Sequence, residues 1–240
     1  MKIKTLIILI FIGVFSFCCS KTIVDKSIDC DKLEKEISKL QLDYVLLNDT
    51  TYLRLDSALL LIDTMLCNCE KYYTGLITSK LKILGIKKQY KEALILINEL
   101  DENKIFPLKK NVLKNRFMAM QAQYSGNFSE KNRLINENFL IYKQIFYNNK
   151  NEIIKTLQSE DYEYILSNKY VFDILGYFYY KSQLFEYNDI IVEIDNLQKE
   201  INGNIIFFDD FLKEWINTPD FFNTSFEFSK EENFMYFNGL

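Results

Sequence analysis

Glycine and proline are scarce in this chain, with 7 and 2 occurrences among 240 residues. These two residues build the tight turns of hairpins and interrupt helices, so their scarcity disfavours a sandwich or barrel with many turns. Leucine, isoleucine, lysine and glutamate run along the sequence with apolar residues three or four positions apart, which is typical of amphipathic helices. The many tyrosines and phenylalanines would also suit strands, but the spacing predicts an all-α fold.

The start of the sequence predicts export. Lys2 and Lys4 precede an apolar run over residues 6–17. That run is shorter than the roughly 20 apolar residues that a membrane-spanning helix needs. A charged start, a short apolar middle and a compact end are typical of a secretory signal peptide.

The end of the apolar run, where Phe17 is followed by Cys18, Cys19 and Ser20, resembles the lipobox of bacterial lipoproteins. The signal peptidase of that family cleaves before a cysteine whose preceding residue is small, which favours Cys19 over Cys18. The resemblance implies a signal peptide over residues 1–18, an acylated Cys19 and a lipid-anchored chain in the bacterial cell envelope. Ser20 is not the aspartate that retains such proteins at the inner membrane, so the outer membrane is expected. An ordinary secreted protein or an uncleaved anchor is the alternative.

Two features of the composition exclude whole classes of function. The chain contains no histidine, which removes the usual histidine-assisted serine and cysteine hydrolases and the commonest transition-metal ligand. Its formal net charge of −4 argues against nucleic-acid binding, which needs a basic surface. We therefore expect no cofactor, no metal site and no enzymatic activity.

Two segments resemble the turn and second helix of the tetratricopeptide repeat (TPR). They are residues 55–62 and 87–94, in which Ala58 and Ala93 take the same small-residue place. Their separation is close to that family's period of about 34 residues. A third unit is indicated by the turn at Gly126 and Asn127, although Lys131 stands there at the small-residue place.

A fourth unit is indicated by Phe172, Leu175, Gly176 and Tyr179, which have the spacing of the TPR family's tryptophan, leucine, glycine and tyrosine positions. The resemblance implies antiparallel helix pairs stacked as a short TPR-like α-solenoid, with an irregular helical bundle as the alternative. Predicted helix pairs are 31–47 with 52–66, 70–86 with 90–100, 107–124 with 128–146, and 170–181 with 185–201. Residues 148–168 are an extra helix pair or a long insertion.

The predicted organisation therefore has four parts. The signal peptide is followed by a tether over residues 19–29 and by the TPR-like helical repeats over residues 30–201. Residues 202–240 form an aromatic-rich C-terminal capping segment with a helix around residues 207–216. Such caps cover the open end of a repeat array.

A disulfide is predicted within the first helix pair. Cys30 begins the first predicted helix, while Cys67 ends the second and Cys69 lies just beyond it. Two helices joined by a short turn run antiparallel. Because the two helices have similar lengths, the start of the first lies beside the end of the second, which brings Cys30 close to Cys67 and Cys69. An oxidising envelope favours a bridge from Cys30 to either Cys67 or Cys69. Three reduced cysteines are the alternative, and a zinc site would need further ligands.

Carboxylates and aromatic residues provide the remaining candidate sites. Paired carboxylates could serve a glycosidase, but acids near helix starts are more often caps or solvated residues. Four consecutive aromatic residues at 177–180 point all round a helix, so Tyr177 and Tyr180 are candidates for a binding surface. The carboxylates are Asp49, Asp56 and Asp63 at seven-residue spacing, and Asp209, Asp210 and Glu214 within one helical turn.

The leading interpretation is a non-catalytic protein, tethered to a membrane by the lipid on Cys19, whose helical-repeat surface holds a peptide or a partner protein. Two alternatives remain open. An envelope immunity or inhibitor protein that masks a toxin would suit the acidic balance, through charge complementarity with a basic partner. A glycan-handling lipoprotein would use the carboxylates and the aromatic residues.

Overall fold

The computed structural model describes residues 28–47, 50–105, 109–213 and 216. Every regular element within these ranges is helical and none is a strand, which confirms the all-α class. Several expectations concern residues outside these ranges. They are the signal peptide, the lipidated Cys19, most of the tether, the first turn at Pro107, the carboxylates of Asp49 and Glu214, and the C-terminal tail beyond residue 216.

The chain divides into two compact units, Met1–Ser79 and Lys80–Leu240. The first unit contains α1 (Cys30–Leu46), α2 (Leu53–Leu66) and a short 3₁₀ helix (Glu70–Tyr72). Helix α3 (Tyr73–Ile86) contains the boundary between the units.

The interior of the first unit is aliphatic. Helix α2 buries Leu55, Ala58, Ile62 and Met65, whose three- and four-residue spacing forms one stripe along the helix. Ile37 of α1 is buried as well. Because the turn between α1 and α2 is short, the two helices run antiparallel, as the sequence predicts.

The second unit continues with α4 (Tyr90–Glu99), a 3₁₀ helix (Glu102–Lys104), α5 (Lys110–Tyr124) and α6 (Phe128–Asn148). Two short helices follow, α7 (Lys150–Leu157) and α8 (Tyr162–Ser167). They lie in residues 148–168, for which the sequence allowed either an extra helix pair or a long insertion. The remaining elements are α9 (Lys169–Ser182), α10 (Tyr187–Ile201) and a π-helix (Ile206–Lys213). The π-helix lies where the sequence predicts an ordinary capping helix.

Helix α6 lies against both α5 and α9. Helices α5 and α6 run antiparallel because only a short turn joins them. Helices α6 and α9 are also antiparallel, since the Tyr142 ring stacks on Tyr180 at a centroid distance of 5.6 Å while the later Asn149 hydrogen-bonds the earlier Asp173. Consequently α5 and α9 point in the same direction, and both are packed on α6.

Two turns of the second unit, one before α4 and one before α6, have the same local geometry. Lys88 and Gly126 both adopt a left-handed backbone, with φ of 57° and 75°. In each turn the N–H of the next residue donates to a carbonyl in the last turn of the preceding helix, at 2.8 Å in both cases. This is the Schellman ending of a helix, in which the left-handed position favours glycine.

Aromatic side chains fill the interior of the second unit. Gly176 lies under the ring of Tyr142, and a Cβ at this position would overlap that ring. The glycine therefore lets α9 approach α6 closely, as its small size in the sequence suggests. The buried aromatic residues are Tyr90, Phe117, Phe139, Phe146, Tyr177, Phe178, Tyr180, Phe207 and Phe208.

Candidate ligand pocket

A pocket opens in the second unit where α5, α6 and the end of α9 meet, with a volume of about 460 Å³ including the part open to solvent. Along each helix the lining residues follow one another at steps of one, three or four positions, so they lie on one side of each helix and converge on the same space. The lining consists of Arg116, Ala119, Met120 and Gln123 from α5, Lys131, Ile135 and Asn138 from α6, and Tyr179, Tyr180 and Gln183 from the end of α9.

Asn138 is a polar residue within the otherwise apolar inner stripe of α6, and its side chain is buried with 1% exposure. Its Nδ2 donates to the carbonyl of Val112 at 3.1 Å, and its Oδ1 accepts from Asn115 Nδ2 at 3.0 Å. A buried amide is stabilising only when its donors and acceptors are used in this way. Asn138 therefore fixes α6 against α5 at the inner end of the pocket.

Tyr180 forms the aromatic wall beside Asn138. Burial raises the pKa of its hydroxyl, while the nearby positive charge of Arg116 and a hydrogen bond with Asn138 act in the opposite direction. The hydroxyl therefore keeps its proton at neutral pH. Tyr180 was expected on a binding surface, and the structure places it at the wall of the pocket, although almost all of the residue is buried.

Tyr177 differs from the expectation that it belongs to a binding surface. Only 4% of the residue is exposed, because its ring stacks on Phe146 at 4.8 Å and its hydroxyl donates to Glu193 Oε1 at 2.9 Å. Burial and the Glu193 carboxylate raise the pKa of this hydroxyl. Tyr177 is thus a core residue between α6 and α10.

The charged residues of the pocket are cationic. Arg116 lies 6.0 Å from the centre of the Tyr179 ring, within the range of a cation–π interaction. Lys131 faces the same space from α6, and no acidic side chain from the part of the chain that the structure describes lines the pocket. Lys131 stands at the small-residue place of the third predicted repeat, so the pocket has a cation where the repeat pattern would have a small residue.

Two glutamates on α6 are already paired on the surface near the pocket. Arg133 donates to Glu130 from Nε at 2.8 Å and from Nη2 at 2.6 Å, and it is also ion-paired with Glu137. The hydrogen bonds from Arg133 lower the pKa of Glu130. Arg133 therefore offsets one of these two negative charges from within the same helix.

The cysteines lie in the first unit. The structure joins Cys30 to Cys69, with the two Cα atoms 6.0 Å apart, a separation usual for a disulfide. The sequence left Cys67 and Cys69 open as partners of Cys30. The structure pairs Cys30 with Cys69, which lies beyond the end of α2. Cys67 is exposed and is not part of the bridge.

A second contact fastens the same end of the first unit. The Tyr72 hydroxyl, in the 3₁₀ helix after Cys69, donates to the carboxylate of Asp31 at the start of α1. This hydrogen bond, together with the charge of Lys71, lowers the pKa of Asp31. The bridge and the hydrogen bond therefore tie the same two segments.

The carboxylate candidates do not assemble into a site. Asp209 accepts a hydrogen bond from Lys213 at 2.5 Å, and the same lysine pairs with Asp195 at 2.5 Å. Asp56 and Asp63 lie on α2 in the first unit and are not among the residues that line the pocket. Within the described ranges, no group of three or more cysteine, aspartate or glutamate residues could hold a metal ion.

None of the helices that the structure describes is long and apolar enough to cross a membrane. Comparisons of the chain with protein-family models, with curated proteins and with solved structures gave no match. The geometry of the pocket is therefore the basis for a functional assignment.

Proposed function

We propose that this chain is a non-catalytic binding protein of the bacterial envelope, anchored by a lipid on Cys19, that holds a peptide or protein partner on a TPR-like helical surface. The observation that carries this proposal is the pocket between α5, α6 and α9. Its lining combines cations, amides, an aromatic ring and an apolar floor, the mixture that binding sites use to fix the orientation of a ligand.

Three features support a TPR-like arrangement. The turns before α4 and α6 share one backbone geometry, as repeated units would. Ala58 and Ala93, at the small-residue places of the first two repeats, have no exposed surface. Gly176, at the glycine place of the fourth, lies against the neighbouring helix. Repeats of this kind present extended surfaces for partners.

Two features support the envelope location. The short apolar run before Cys19 resembles a lipoprotein signal, and two acyl chains on one cysteine suffice for a stable anchor. The bridge between Cys30 and Cys69 suits an oxidising compartment outside the cytoplasm.

Site-specific photocrosslinking tests the binding role. A photoreactive amino acid replacing Gln123, an exposed residue that lines the pocket, should crosslink to one partner of defined mass in the envelope of the native host. The same replacement at Gln144, exposed on α6 but outside the pocket, is the matched control and should not yield that product. Equal crosslinking at both positions, or none at either, would contradict the proposal.

Metabolic labelling with a fatty-acid analogue tests the anchor. The analogue should label the wild-type chain and Cys18→Ser, and it should not label Cys19→Ser. Labelling lost in Cys18→Ser but kept in Cys19→Ser would move the lipid to the preceding cysteine. Labelling that neither substitution affects would contradict a lipid on this pair.

A further inference from the structure

The pocket is a positively charged site on an acidic protein. Arg116 and Lys131 face it from two different helices, and none of the described carboxylates lines it, whereas the chain as a whole has a net charge of −4. The neighbouring Glu130 and Glu137 share the single charge of Arg133, so that surface trio keeps one net negative charge, fewer than the two positive charges of Arg116 and Lys131 that face the pocket. An anionic group entering the pocket would therefore meet two cations at short range, where attraction is least screened.

The donors around the pocket suit a carboxylate. A guanidinium is a planar fork that binds the two oxygens of a carboxylate together, and that of Arg116 lies 6.0 Å from the centre of the Tyr179 ring. Gln123 and Gln183 add side-chain N–H donors at the rim. The protonated Tyr180 hydroxyl lies at the inner wall.

The floor of the pocket adds an apolar requirement. Ala119 and Ile135 are buried there, and Met120 lies beside them. Hydrocarbon next to the anion would be stabilised by burial on this floor. A bare inorganic anion would leave the floor uncovered, so the site favours an organic acid.

We propose that this pocket binds a carboxylate of a peptide segment, with Arg116 and Lys131 pairing with the charge and the apolar floor contacting the adjacent carbon atoms. The proposal rests on the proposed function and specifies the chemistry of its partner. The carboxylate comes either from an acidic side chain or from the C-terminus of the partner.

The arginines of this chain allow a direct test, because the sequence contains only Arg54, Arg116 and Arg133. In the full-length chain, held in a non-ionic detergent and labelled with ¹⁵N-arginine, each side-chain Nε–H gives its own NMR signal. A capped Gly-Glu-Gly tripeptide should shift the Arg116 signal with a Kd in roughly the millimolar range expected of so small a ligand. The Arg54 and Arg133 signals are internal controls and should remain in place.

Three further probes identify the recognised group. A capped Gly-Gln-Gly tripeptide tests the charge, a tri-glycine with a free C-terminal acid tests the terminus, and inorganic phosphate tests a generic anion. A shift with only one of the two carboxylate peptides assigns the source of the carboxylate and supports the proposal, as does a shift with both. If Gly-Gln-Gly or phosphate shifts Arg116 as strongly as Gly-Glu-Gly, the proposal is overturned.

A pair of charge-neutralising variants tests the second cation. Lys131→Gln should weaken binding of the carboxylate peptide about three- to tenfold, the range for losing one partly exposed charge partner. Lys143→Gln removes an exposed charge on the same helix outside the pocket and should leave the Kd unchanged. Equal effects of the two variants would show that general charge, rather than the pocket, attracts the peptide, and would overturn the proposal.

The two proposals fail in different ways. A crosslink at Gln123 without any carboxylate-dependent shift of Arg116 would retain the partner-binding function and reject carboxylate recognition. A carboxylate-dependent shift without a crosslink would support the chemistry of the pocket and reject the partner-binding function.

Discussion

The two units of this chain stabilise their interiors by different means, and one buried amide in each shows the difference. Gln41 in the first unit and Asn138 in the second both lie on the inner stripe of a helix, with at most 1% exposure. Asn138 uses both its donor and its acceptor, whereas the amide nitrogen and oxygen of Gln41 have no hydrogen-bond partner among the described residues. The first unit, whose described residues bury no aromatic side chain, instead has a disulfide.

The disulfide of the first unit and the aromatic packing of the second place different demands on buried polar groups. Small units bury too little apolar surface to be stable on packing alone, and a disulfide compensates by restricting the unfolded chain. A constraint that acts on the unfolded state does not require a well-satisfied interior, so a buried amide without partners is tolerated. The second unit contains no cysteine, and its most deeply buried amide, Asn138, uses both its donor group and its acceptor, although Oε1 of the half-buried Gln89 has no partner among the described residues.

The largest effect is expected from removing the bridge. Cys69→Ser opens a loop with a sequence separation of 39 residues, and this should destabilise the first unit by about 4 kcal/mol in the chain-entropy model. Hydrogen exchange followed by mass spectrometry should show lost protection in α1 and α2 and unchanged protection in α6 and α9. Cys67→Ser, which alters an exposed thiol outside the bridge, is the control. Equal loss in both units would contradict separate means of stabilisation.

Replacing each of the two buried amides with leucine should change the stability of its unit in opposite directions. Gln41→Leu removes two unpartnered polar atoms and should stabilise the first unit by about 1–2 kcal/mol. Asn138→Leu leaves the Val112 carbonyl and the Asn115 amide without their partner and should destabilise the second unit by about 1–3 kcal/mol. Urea denaturation of the two variants, with hydrogen exchange to locate the change, measures both effects. A loss of stability in Gln41→Leu would mean that its amide has a role that the packing does not reveal.

A smaller difference in stability is expected between alanine substitutions at two helical glycines. A Cβ at Gly176 would overlap the Tyr142 ring, whereas a Cβ at Gly75, in α3, would meet nothing within 4 Å. Gly176→Ala should therefore destabilise the second unit by about 1–2 kcal/mol, and Gly75→Ala should stabilise its helix by up to about 1 kcal/mol. Thermal unfolding of the two variants gives the sign of each change. Two stabilised variants would show that the Tyr142 ring moves aside without cost.

Local pattern predicted the helices well and the pocket poorly, for physical reasons. The apolar spacing and the turn at Gly126 act within a few residues, so the sequence locates α5, α6 and α9 closely. The burial of Tyr177 depends on α6 and α10 covering one face of α9, which no local pattern specifies. The π-helix of residues 206–213 has the composition of an ordinary helix, and its widened geometry was not predictable from spacing.

The pocket arises from non-local packing in the same way. Arg116, Lys131 and Tyr179 belong to three helices, and their convergence requires that α5 and α9 both pack on α6. Asn138 was detectable in principle, because it interrupts a stripe formed by Leu134, Ile135 and Phe139. A polar residue in such a stripe signals a buried hydrogen-bond network but not which helix supplies its partners.

The bridge between Cys30 and Cys69 also has a mechanical consequence. A chain tethered through Cys19, as proposed, experiences tension whenever its partner is pulled away from the membrane. The force enters the described structure near Cys30, crosses the disulfide and continues from Cys69 into the rest of the chain. Residues 31–68 lie inside the closed covalent loop, so α1 and α2 are outside the load path and cannot be unravelled by the pull while the bridge is intact. In a reducing environment the same force would act first on this helix pair.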